Sequence, residues 1–75
     1  MIEKHIEMNK IVADEFVAMV HEYDLPVNVH VGLSRMNANG DYITHVKLEY
    51  SSQDEGIVEK YLAQAIERGI NRMIT

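Results

Sequence analysis

Cysteine and tryptophan are absent from this chain of 75 residues, and proline occurs once. Without thiols there is neither a disulfide framework nor a thiolate zinc site, the staples on which many domains of this size depend. Glycine is also scarce. Gly32, Gly40, Gly56 and Gly69 stand singly, so no glycine run precedes a helix to cradle a phosphate, and no nucleotide cofactor is expected. No segment approaches the roughly 18 consecutive apolar residues of a membrane span. The start, Met1-Ile2-Glu3-Lys4-His5, lacks the cationic and apolar regions of a secretory signal, which makes the cytoplasm the expected location. Basic side chains are few. Seven stand against twelve acids, a formal charge of −5 that repels nucleic acid and anionic lipid and favours a protein partner with a basic surface.

What is present is a globular composition. Apolar residues make up 47% and charged residues 25%, enough to fold but in one domain only, because so short a chain buries just about 60% of its unfolded surface. Residues 2 to 23 contain no glycine or proline, and Ile2, Ile6, Ala13, Phe16, Val20 and Tyr23 recur at helical spacing, predicting a first helix over about 2–23. Met8, Ile11, Val12 and Met19, with Val17, widen its apolar face beyond one core contact. The surplus residues Met8, Ile11, Val12 and Met19 are therefore the self-association candidates.

From Val27 the period becomes two. Val27, Val29, Val31 and Leu33 alternate with polar neighbours, as do Tyr42, Thr44, Val46, Leu48 and Tyr50, predicting strands over about 27–35 and 42–50. Asn39-Gly40 suits a two-residue type I′ turn. That turn would set Leu33 opposite Val46, Val31 opposite Leu48, Val29 opposite Tyr50 and, on the polar face, His30 opposite Glu49. A capping box at Ser52-Gln53-Asp54-Glu55 opens a last helix over about 53–69 or beyond, with Gly69 either ending it or tolerated inside it where another backbone comes close. The expected fold is α+β, in the order α-β-β-α: one antiparallel hairpin covered by two helices. Since a two-stranded hairpin is marginal alone, dimerisation through the hairpin edge or helix 1 is expected to complete it.

Chemistry-bearing motifs are wanting. His5 and His21, on one helix, would lie about 24 Å apart, and His30 and His45 about 13 Å apart along the hairpin, so no metal site is expected. There is no thiol nucleophile and no Gly-x-Ser-x-Gly elbow, and the paired carboxylates Asp14-Glu15 and Asp54-Glu55 are surface neighbours. The sequence predicts no catalytic residue and no enzyme. Candidate partner contacts are the polar hairpin face, Asn28, His30, His45, Lys47 and Glu49, the tip at Met36 and Asp41, and the acids Asp54, Glu55 and Glu59.

The run Ser52-Gln-Asp-Glu-Gly-Ile-Val-Glu-Lys-Tyr-Leu62, closing in Arg68-Gly69-Ile70-Asn71, resembles the corresponding helix of a small acidic phage anti-CRISPR protein that inhibits Cas9. The likeness spans residues 52–71 and includes a preceding hairpin with an Asn- or Asp-Gly turn. It implies a phage-type regulator or inhibitor that occupies a partner's surface with acidic side chains, in the host cytoplasm. The acidic stretch that follows the helix in that family has no counterpart up to Thr75, so its binding residues carry over to no position here. A structural homo-oligomer is the alternative expectation.

Overall fold

A computed structural model describes residues 1–74. The order is β1 (Ile2–Asn9), α1 (Lys10–Tyr23), β2 (Val27–Met36), β3 (Tyr42–Tyr50), a short 3-10 turn (Ser52–Asp54) and α2 (Glu55–Ile74). The α+β class, the hairpin and the two helices are as the sequence predicts. One element differs. Residues 2–9 are a strand, so the single long helix is corrected to a strand followed by a shorter helix.

The three strands form one antiparallel sheet in the order β1-β3-β2, with β3 central. Ile2 pairs with Tyr50, Ile6 with Val46 and Met8 with Thr44, which carries the apolar side chains of β1 to the face where Thr44, Val46, Leu48 and Tyr50 are buried. Ile2 and Ile6 are four apart, a spacing that serves one face of a helix and one face of a strand equally. Lys4, in the intervening inward position, hides the alternation. The helix starts where Asn9 Oδ1 accepts the Ile11 N–H at 2.9 Å, an N-cap that satisfies an otherwise orphaned donor.

The hairpin register is also corrected. The loop is longer than two residues: the Asn37 N–H donates to the Asp41 carbonyl and the Gly40 N–H to the Asn37 carbonyl, with Gly40 at φ +85°. This is a turn that closes on a left-handed glycine. Met36 therefore pairs with Tyr42, and a bulge between Val31 and Ser34 adds a second one-residue shift. Two shifts restore parity, so Val31 meets Val46, Val29 meets Leu48 and Val27 meets Tyr50. Apolar still faces apolar below the bulge. His30 stands opposite Lys47 rather than Glu49, Ser34 opposite Thr44, and Met36 moves to the helix-covered face instead of the polar one.

Both helices lie on one face. Val12, Ala13, Phe16 and Met19 of α1 are buried with Val46, Leu48 and Tyr50 of β3 and Val58 and Ala65 of α2. Val12 and Met19, expected to serve self-association, are 5% and 0% exposed. They became core because the helix, shortened to 14 residues, turns this stripe inward. Gly69 lies inside α2, where a Cβ would meet Val12 Cγ2 at 2.6 Å and Val12 Cα at 3.2 Å. The close helix crossing requires glycine there. The Ser52 box is displaced by one residue, since Ser51 is the cap and its Oγ accepts the Gln53 N–H. With β1 in place, the chain completes its own core from three strands and two helices. Among the described residues no helix is long and apolar enough to cross a membrane.

Candidate functional site

The face of the sheet away from the helices gathers Asn28, His30, His45, Lys47 and Glu49, as the alternation predicts, and adds Glu3, His5 and Glu7 from β1. The β1 residues were missed because that strand read as helix. His5 Nδ1 lies 3.0 Å from His45 Nε2, while His5 Nε2 lies 3.0 Å from Glu3 Oε2. Lys47 Nζ is 3.7 Å from the other oxygen of Glu3. The carboxyl of Glu3 is held below its ordinary value of 4.5, first by the hydrogen bond to His5 and then by the Lys47 charge. Arg35 donates to Glu7 at 2.7 Å, and His30 reaches diagonally to Glu49 at 2.7 Å. Every carboxylate of this face thus has a partner on the same face. Among the described residues no three histidines or acids are gathered to hold a metal ion.

The remaining sequence candidates fall elsewhere. Met36 and Asp41 flank the hairpin tip, and Asp54, Glu55 and Glu59 lie at the start of α2 on the helix side. Glu59 Oε1 is 3.5 Å from Lys4 Nζ. The ten contact candidates therefore form no single patch. Of the self-association candidates, Met8 and Ile11 are half-buried and Val12 and Met19 are core.

A different surface stands out, and its position follows from the strand order. β1 and β2 are the two edges of the sheet, each with a row of outward backbone donors and acceptors. The β1 edge is guarded. Lys4 occupies an inward slot opposite Leu48, with its ammonium 3.5 Å from Glu59 Oε1. An inward charge on an edge strand opposes the docking of a further strand. The β2 edge carries no such charge: from Leu25 to Gly40 there is no acid, and Arg35 is the one strong base.

Beside this edge runs a groove of about 460 Å³ between α1 and β2, lined on the helix by Val17, Val20 and His21, on the strand by every residue from Val27 to Val31, and by Glu49 of β3. Val31 is 51% exposed and Leu33 95%. The valine alternation was legible in the sequence, but its status as an open edge was not, because that depends on β1 taking the other side of β3. Comparison with protein-family models, with curated proteins and with solved structures finds no match to this chain.

Proposed function

We propose that this chain is a protein-binding module whose working surface is the β2 edge with its adjoining valine groove, and that it acts by pairing with an extended segment rather than by catalysis. The observation that carries this reading is the asymmetry between the edges. Lys4 charges the inner side of β1, whereas β2 presents unpaired backbone and Val29, Val31 and Leu33. Strand addition supplies affinity through main-chain hydrogen bonds and specificity through pockets for alternate side chains, and the groove beside β2 supplies a place for such side chains.

A regulator or inhibitor that occupies a partner's surface, as the resemblance over residues 52–71 implies, is compatible with this mode. The net charge of −5 favours the approach of a basic partner. The acids of the open sheet face contribute less to that approach than their number implies, because Glu3 and Glu7 are paired with Lys47 and Arg35 on the same face. The test uses a synthetic peptide of residues 26–36 as a probe strand, titrated into the isotope-labelled chain. Amide shifts should concentrate in β2 and at Val17, Val20 and His21. Shifts confined to β1 or to α2, or none at millimolar peptide in a chain that is monomeric, would overturn the assignment of the edge.

A further inference from the structure

We infer that the strand received at the β2 edge is the β2 of a second copy, paired antiparallel about a two-fold axis through Val29; this rests on the reading of that edge as the binding surface.

Three observations select a second copy. The first is self-complementarity. Val27-Asn28-Val29-His30-Val31 has the same polarity pattern in either direction, so an antiparallel pair centred on Val29 sets Val27 of one copy against Val31 of the other. Asn28 then meets His30 on the opposite face. Isologous contacts need this property, since each side chain must suit its own symmetry mate. The segment is also the regular part of the strand, lying between Pro26 and the bulge that begins after Val31.

Charge is the second. A chain with twelve acids resists its own copy over most of its surface, yet no acid occurs from Leu25 to Gly40. The third is continuity of the groove. With the axis at Val29 the two grooves meet, so Val17 and Val20 of each α1 gain a covering they lack in one copy. The half-exposed Val31 is covered as well. Two three-stranded sheets then become one of six strands, ending at both sides on β1 edges guarded by Lys4.

The absence of cysteine gives a clean test. In the full chain carrying Val29→Cys, the single thiol sits on the axis, where cross-strand Cα atoms fall within the roughly 4.4–6.8 Å that a disulfide spans. Mild oxidation should give a covalent dimer in high yield. Val31→Cys, whose opposite residue is Val27, should cross-link several-fold less, and Ile70→Cys on the exposed side of α2 should serve as background. Sedimentation equilibrium of the unmodified chain should show a dimer that Val31→Lys weakens by about tenfold or more and Ile70→Lys leaves unchanged.

A monomer at all concentrations overturns the inference. So does a dimer that yields to Ile70→Lys and not to Val31→Lys, which would place the contact on α2, or equal cross-linking at all three positions. If the chain is monomeric but the probe peptide still shifts β2, the edge remains the binding surface and only its occupant is wrong. If both fail, the reading of the edge fails too.

Discussion

Two glycines of α2 show how one residue type serves opposite ends. At Gly69 an added methyl would enter Val12, within 2.6 Å of its Cγ2 and 3.2 Å of its Cα, and overpacking of this kind costs about 1–3 kcal/mol. The gain in helix propensity, roughly 1 kcal/mol, offsets part of that. Gly69→Ala should therefore lower the thermal midpoint. At Gly56 nothing lies within 4 Å of the same added atom, so Gly56→Ala should raise stability by up to about 1 kcal/mol. Chemical denaturation of both variants checks the pair, and a stabilised Gly69→Ala would mean that the helices are not in the contact described. Glu3 supplies a pH signature at the same scale. Its folded carboxyl lies below the ordinary 4.5, through His5 first and Lys47 second. A depressed carboxyl contributes stability that is present above the unfolded value and lost as pH falls through the folded one. The loss should thus set in below about pH 4.5 and be absent in Glu3→Gln. Carbon-13 titration should find the Glu3 midpoint below 4.5, moving up in His5→Ala; a midpoint unmoved by that change would contradict the His5 hydrogen bond.

At the scale of elements, the change from strand to helix at Asn9 organises the N-terminal third. Asn9 Oδ1 caps α1 at 2.9 Å, and removing such a cap costs about 1 kcal/mol. Asn9→Ala should lose that amount in urea denaturation while leaving α2 intact by circular dichroism; an unchanged midpoint would mean that the helix starts elsewhere. This boundary was the main point at which the sequence misled. Ile2 and Ile6 satisfy both periods, and Lys4 stands where a third apolar residue would have declared a strand. The hairpin, both of its strands and α2 were legible, because valine alternation, the Asn-Gly signal and serine capping each act locally. The register was less so. A longer loop and a bulge each shift it by one, and neither leaves a mark in the polarity pattern. Of the candidate site, the polar face of β2 and β3 was visible as alternating Asn28, His30, His45, Lys47 and Glu49. The half supplied by β1 and the open edge were not, since both depend on a long-range pairing of residues 2–9 with 43–50.

The whole molecule is a two-layer α+β domain whose sheet has one guarded edge and one open edge. If the open edges join copy to copy, assembly stops at two, because each remaining edge carries Lys4 on its inner side. Lys4→Ile removes that charge and completes the apolar alternation of Ile2, Ile6 and Met8. Growth beyond the dimer should follow in light scattering as concentration rises, whereas a variant that keeps the wild-type size would show that Lys4 does not limit pairing. Most direct for the account is amide hydrogen exchange followed residue by residue across a hundredfold range of protein concentration. Alternate amides between Val27 and Val31 should grow more protected as concentration increases, while the outward amides of β1 stay as they were. Protection that rises instead on β1 or along α2, or β2 amides that exchange rapidly at every concentration, would contradict the claim that β2 is the edge through which two copies of this protein pair.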